Sequence, residues 1–254
     1  MPLPPWYTLA LHAYLALALV SFAALMLLSA PYGRHGRVGW GPGLPTRLAW
    51  LLWESPQVLV FLGVFLVGAR RAEAVPLALL ALWMLHYVHR TFIYPLRMRA
   101  DPARRTPWLI LVLGIGHNAL CSVLNASWLT SVGPGYPAGW LASPAFLVGA
   151  ALFLAGFAIN RHADAILRGL RRPGEGGYGL PTGGLYRWVS CPNYLGEILT
   201  WCGFALAAWS PAGLAFAVYT AANLVPRAMD HHLWYRRRFR GYPKERRALL
   251  PFVL

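Results

Sequence analysis

Acidic side chains are scarce in this chain. Its 254 residues hold eight Asp and Glu, and a single lysine, Lys244, stands among 23 basic residues. Only 12% of the chain is charged, against about 25% in an ordinary soluble domain. That shortage argues against a conventional water-soluble fold, because 57% of the residues are hydrophobic and must face something other than water. Cysteine is also sparse. Cys121, Cys191 and Cys202 form no C-x-x-C pair and no metal-ligand spacing, so neither a disulfide framework nor a zinc site is indicated. No Walker loop, no G-x-S-x-G and no H-E-x-x-H occurs, which removes three common enzyme classes. No internal repeat stands out. The first apolar run lacks a basic leader and is about one span long, so it reads as a retained helix rather than a cleaved signal.

What is present is a series of apolar runs separated by basic loops. A span needs about 20 apolar residues. Seven are expected, at about 6–29, 48–68, 74–95, 108–131, 141–160, 192–209 and 211–226. The last two are split at Trp209-Ser-Pro-Ala-Gly213, because a single helix over 193–226 would be about 50 Å long, too long for a core of about 30 Å. The fold class is therefore an all-α polytopic membrane protein, with residues 1–254 as one integral-membrane domain. Net charge is +15. Twenty of the 23 basic residues fall in alternate segments, including the tail from Arg227 to Arg247. The positive-inside rule then places the N-terminus outside and the C-terminus in the cytoplasm. With this distribution the basic excess reflects topology, anionic ligands and lipid head groups, not nucleic acid. The Arg, Ala, Gly and Leu bias favours a bacterial inner membrane, or the endoplasmic reticulum in a eukaryote.

Several polar residues lie inside this frame. Glu54 is about 9 Å into span 2 and Tyr87 about 12 Å into span 3, both counted from the cytoplasmic side. Glu197 is about 8–9 Å into span 6. Tyr87, Arg90 and Tyr94 recur at helical spacing and are expected on one face. Asn160, Asp164, Arg168 and Arg171 share a second face, and Asn193 and Glu197 a third. Arg227, His231 and Tyr235 make a fourth, leaving span 7. Ionisable groups at such depth are costly, so a shared cavity open to the cytoplasm is expected.

Other features carry less. Gly174-Glu-Gly-Gly-Tyr-Gly179 matches G-x-G-x-x-G but lacks a preceding strand and following helix, so it is not a dinucleotide fingerprint. It can still act as a phosphate-contacting loop. The histidines form no strong ligand spacing, and no metal is expected. Asn125 heads a glycosylation sequon with Ser127 but lies too deep for use.

His86-Tyr87-Val-His-Arg90-Thr-Phe-Ile-Tyr94, Leu170-Arg-Arg-Pro-Gly-Glu175, Pro181-Thr-Gly-Gly-Leu185, Val189-Ser-Cys-Pro-Asn193-Tyr-Leu-Gly-Glu197 and Gly241-Tyr-Pro-Lys244 through Ala248-Leu-Leu-Pro-Phe252 together resemble the steroid 5α-reductase family. The pattern is closest to its type 2 branch, and the likeness runs from about residue 48 to the C-terminus. Asn-Tyr-Leu-Gly-Glu alone also resembles membrane methyltransferases.

The resemblance implies a seven-span fold, NADPH as cofactor, and reduction of the 4,5 double bond of 3-oxo-Δ4-steroids. It implies that Glu54 and Tyr87 are catalytic and hold the 3-oxo oxygen, with Trp53 beside them at the substrate. It implies that Asn160, Asp164, Arg171, Tyr178, Asn193, Glu197, Arg227, His231 and Tyr235 contact the cofactor. Trp53 replaces a glutamine common in the family, which bears on substrate range. The implied partners are a steroid entering from lipid, NADPH from the cytoplasm, and membrane lipids. Three alternatives remain open: a polyprenol or enoyl reductase of the same superfamily, an S-adenosylmethionine-dependent membrane methyltransferase, and a lipid-binding scaffold.

Overall fold

The computed structural model describes residues 2–29, 40–98, 105–170 and 179–253. Helix α1 (Pro5–Leu27) opens on a proline at its first position, where the missing N–H costs nothing. It buries Tyr7, Tyr14 and Ala18, leaving much of its apolar surface exposed. Helices α2 (Thr46–Glu54) and α3 (Pro56–Val67) form one broken apolar run. Helix α4 (Ala74–Val88) passes through a π-turn (His89–Ile93) into the short α5 (Tyr94–Arg97). Helix α6 (Trp108–Ser127) ends in a second π-turn (Trp128–Val132). Helices α7 (Pro144–Gly169), α8 (Pro192–Ala208) and α9 (Pro211–Arg238) complete the order. Every expected span is helical over nearly all of its length. Four helical runs, Pro5–Leu27, Thr46–Val67, Trp108–Val132 and Pro144–Gly169, are long and apolar enough to cross a membrane.

The expected break after α8 is sharp. Trp209 adopts a left-handed conformation (φ 45°), and Ser210 caps α9 by accepting from the Gly213 N–H at 2.9 Å. Helices α7 and α8 cross almost backbone to backbone. A Cβ on Gly156 would lie 2.4 Å from the Thr200 nitrogen, and one on Gly196 would lie 2.5 Å from the Asn160 nitrogen. Gly149 and Gly203 meet in the same way two turns further along. Close small-residue crossings of this kind suit helices in lipid, where packing rather than water exclusion drives association.

Aromatic rings fill the centre. Trp83 stacks on Phe61 at 4.3 Å, and Trp201 lies 4.4 Å from Phe216. Both tryptophans are at most 1% exposed. At one end, a two-stranded antiparallel ribbon of β1 (Gly43–Pro45) and β2 (Arg105–Pro107), absent from the sequence reading, sets the starts of α2 and α6 side by side. At the other, the Tyr136 hydroxyl and the Trp140 indole donate to the Ala208 and Ala207 carbonyls, satisfying the last turn of α8. The C-terminal segment folds back on the entry to α8. Ser190 N–H donates to Arg247 O and Cys191 N–H to Ala248 O. There the Ser190 hydroxyl meets His232 Nδ1 at 2.6 Å and also the Tyr242 hydroxyl.

Candidate active site

Glu54 is the last residue of α2, and it is 7% exposed. The π-turn of α4 supplies its partners. Arg90 places Nε 3.5 Å from Glu54 Oε1, and Thr91 donates its hydroxyl to the Glu54 carbonyl at 3.2 Å. Trp50 answers by donating its indole N–H to the Arg90 carbonyl at 3.1 Å, while the guanidinium lies 4.8 Å over the Trp50 ring. A π-turn adds about one residue to a helical turn and often marks a functional site. Here it also alters the expected face. Tyr87, before the turn, stacks on Trp201 at 5.2 Å, whereas Tyr94, after it, packs on Trp50 at 5.0 Å. Arg90 also lies 5.5 Å over the Tyr94 ring, and the change of helical phase gives Tyr87 and Tyr94 different neighbours.

Tyr87 is 4% exposed and packs edge-on against His86 at 5.0 Å. Trp53 is half-buried, 5.1 Å from Trp50, with its ring seated where Gly114 leaves room on α6.

The second half of the site is built by the α7–α8 crossing. Asn160 Nδ2 donates to Glu197 Oε2 at 2.9 Å and to the Asn193 carbonyl at 2.8 Å. Trp201, one turn on, donates to Glu197 Oε1 at 3.1 Å. His86 brings Nε2 within 3.1 Å of the same oxygen, and its Nδ1 has no hydrogen-bond partner among the described residues. Asn193 Nδ2 reaches Asp164 Oδ1 at 3.4 Å. Arg161 joins this set by donating to Asn160 Oδ1 at 2.5 Å and to Asp164 Oδ2 at 3.1 Å, and it also contacts His89. Asn160, Asp164, Asn193 and Glu197 are thus one polar cluster, buried except for the half-buried Asn193.

Residues from α9 approach α8 from its other side. The Tyr194 hydroxyl meets His231 Nε2 at 3.0 Å, and Arg227 lies 5.4 Å over the Tyr194 ring. Tyr235 is 2% exposed and stacks on Tyr242 at 5.9 Å, within the C-terminal fold-back. Arg171 and Tyr178 lie outside the described residues.

Burial, with Arg236 and Arg247 as neighbouring cations, pushes the His232 pKa below its ordinary value. Burial pushes the Tyr242 hydroxyl up. Sequence reasoning gave no role to His86, Arg161 or Trp201. The spacing of Glu197 to Trp201 (i, i+4) and of Arg161 to Asp164 (i, i+3) was a usable signal for two of them. His86 carried none, because its partner comes from a distant helix.

A family model for 3-oxo-5-alpha-steroid 4-dehydrogenase matches residues 104–254. The chain is 40% identical over 240 residues to Steroid 5-alpha-reductase DET2 of Gossypium hirsutum, covering 93% of each chain. It is 40% identical to 3-oxo-5-alpha-steroid 4-dehydrogenase 1 of Rattus norvegicus, covering 94% of this chain and 92% of the relative. With 3-oxo-5-alpha-steroid 4-dehydrogenase 1 of Bos taurus it shares 41% identity over 249 residues, 95% of each. Near-complete coverage at this identity, over the residues that build both halves of the site, means that the chain belongs to the steroid 5-alpha-reductase family.

Proposed function

We propose that this chain reduces the 4,5 double bond of a 3-oxo-Δ4-steroid: carbon 5 takes hydride from NADPH, carbon 4 takes a proton drawn from solvent, and the products are a 5α-reduced 3-oxo-steroid and NADP+. The observation that carries this reading is the burial of the Glu54–Arg90 pair and of Tyr87, which stacks on Trp201 and lies against His86 at the Glu197–Asn160 cluster. Hydride addition to an enone drives negative charge onto the carbonyl oxygen. The Tyr87 hydroxyl donates to that oxygen, and the Glu54 carboxyl, in its protonated form, donates beside it. Arg90 adds positive charge close to Glu54. The surrounding Trp50, Trp83 and Trp201 rings keep water out, which strengthens each of these contacts.

The residues present fit a nicotinamide dinucleotide. Asn160, Asp164, Asn193 and Glu197 offer the amides and carboxylates that carboxamide and ribose groups need. The buried His86 Nδ1 and Arg161 Nε have no hydrogen-bond partner among the described residues. Arg227, His231 and Tyr235 would continue the binding surface along α9, and Arg171 and Tyr178 would add the loop. NADPH, when bound, supplies the hydride.

The same reading places seven spans in the membrane, with the N-terminus outside and the basic tail in the cytoplasm. The steroid enters from lipid. A bacterial inner membrane suits the composition. Purified protein incubated with testosterone or progesterone and NADPH should yield the 5α-reduced 3-oxo products. Failure to reduce either steroid, with NADPH bound, would overturn this assignment.

A further inference from the structure

The run Thr46–Val67 is broken one residue after Glu54. Pro56 has no N–H, so the Leu52 carbonyl loses its helical donor, and Ser55 Oγ replaces it at 2.8 Å. Other helices supply donors to the carbonyls around the break. Asn118 Nδ2 donates to Trp53 O at 2.6 Å, and Thr91 to Glu54 O at 3.2 Å. Ser122 Oγ lies 3.1 Å from Pro56 O, and Trp83 Nε1 donates to Gln57 O at 2.8 Å. The Gln57 side chain ties this set together. Its Nε2 donates to Asn118 Oδ1 at 2.9 Å, and its Oε1 accepts from Ser122 at 2.9 Å. Gln57, Ser122 and Thr91 are fully buried, and Asn118 is 6% exposed.

Buried polar side chains in an apolar run are costly, and a regular helix would need none of them. The break is instead held from two neighbouring helices, α4 with its π-turn and α6, at the peptide units on either side of Glu54. We propose that Asn118 and Gln57 are positioning residues, an amide pair that fixes the Trp53 carbonyl and so aims the Glu54 carboxyl at Arg90. This rests on the reductase reading above. Neither amide is assigned contact with substrate or cofactor.

A double-mutant cycle tests it. Asn118→Leu keeps the volume and removes both hydrogen bonds. In the wild-type background it should lower turnover about tenfold to a hundredfold, as expected when a reacting group is misplaced by a fraction of an ångström to 1 Å. In a Glu54→Ala background it should lower turnover less than threefold, because the group it positions is already gone; NADPH affinity should stay within about twofold in both. An equal loss in the two backgrounds, or no loss in either, overturns the proposal. Ser122→Ala, which removes one anchor of Gln57, gives the same comparison with a smaller factor if Asn118→Leu does not fold.

A readout without substrate separates this idea from the reductase reading. The carboxyl stretch of Glu54, isolated as the infrared difference between wild-type and Glu54→Gln protein, should move in Asn118→Leu or Ser122→Ala. An unmoved band sinks the positioning role even if the enzyme is active. A moved band in a protein that reduces no steroid keeps the positioning role and removes the reaction.

Discussion

The Arg90 guanidinium stands 3.5 Å from the Glu54 carboxyl, delivered there by a π-turn two residues after Tyr87. An ion pair with Arg90 needs the Glu54 carboxylate, whereas donation to a carbonyl oxygen needs the proton. Two substitutions separate these roles. Glu54→Gln keeps an amide donor and cannot ionise, so it should retain much more turnover than Glu54→Ala if donation is what matters. Tyr87→Phe should lower turnover by about 10²–10³. NADPH affinity, measured in the same proteins, should be unchanged. Well-folded Tyr87→Phe and Glu54→Ala variants working at the wild-type rate would remove both residues from the mechanism.

NADPH should be preferred to NADH, with Arg171 meeting the additional phosphate. Losing such a charge-assisted contact costs about 1.5–3 kcal/mol, or roughly tenfold to over a hundredfold in affinity. Arg171→Ala should therefore weaken NADPH much more than NADH in a binding titration. Equal weakening would show that Arg171 does not read that phosphate.

Gly196→Ala should disturb the Asn160–Glu197 cluster directly. Its Cβ would fall 2.5 Å from the Asn160 nitrogen, which is backbone and cannot turn away. Pushing α7 from α8 separates Asn160 from Glu197 and costs about 1–3 kcal/mol or more in stability. Thermal unfolding and NADPH binding should both suffer. Gly116→Ala, with open space at its Cβ, should be neutral or slightly stabilising. Equal behaviour of the two variants would show that the crossing is not tight in solution.

The C-terminal fold-back should loosen in acid. His232 faces Ser190 and Tyr242, with Arg236 and Arg247 nearby, and its pKa in the folded protein is lowered. The unfolded chain, with an ordinary histidine near 6.5, binds the proton more readily. The stability that depends on neutral His232 is thus complete above about pH 6.5 and declines as pH falls through and below that value. Hydrogen exchange at the Ser190 and Arg247 amides should accelerate from pH 7 to pH 5 after correction for intrinsic rates. His232→Gln should flatten that dependence; an unchanged profile would assign it to other groups.

Orientation can be read by cysteine labelling. Positions in 174–184 should react from the cytoplasm and positions in 132–139 from the opposite side. The reverse pattern would remove the cytoplasmic route for NADPH.

The helices were legible because hydrophobic length and breakers are local signals. Trp209 to Gly213 marked the turn between α8 and α9, and the spacing of Asn160, Asp164, Asn193 and Glu197 marked the two faces that now meet. The parts not foreseen depend on partners far apart in sequence. Gln57 and Asn118 look like isolated amides until α3 and α6 are set side by side. Pro56 was a visible signal of the break after Glu54, masked by its apolar surroundings. The repeated seven-residue spacing of Gly149 with Gly156, and of Gly196 with Gly203, was also visible, but only the structure pairs the two sets. The π-turn at His89–Ile93 has a marker in Pro95, which has no N–H to give the Thr91 carbonyl, whereas the turn at Trp128–Val132 contains no proline.

The π-turn at His89–Ile93 also bears on how this gene can change length. It holds about one residue more than a regular helix needs, so a single-codon deletion there would take up that residue and move everything after it back by one helical position, with Pro95 still interrupting the hydrogen bonds. Everything C-terminal to the deletion would then swing by about 100° about the helix axis. Tyr94 would leave Trp50 and Arg90 would lose its aim at Glu54, although the chain would remain as apolar and as helical as before. Relatives should therefore vary in length within loops, while this short stretch keeps its residue count.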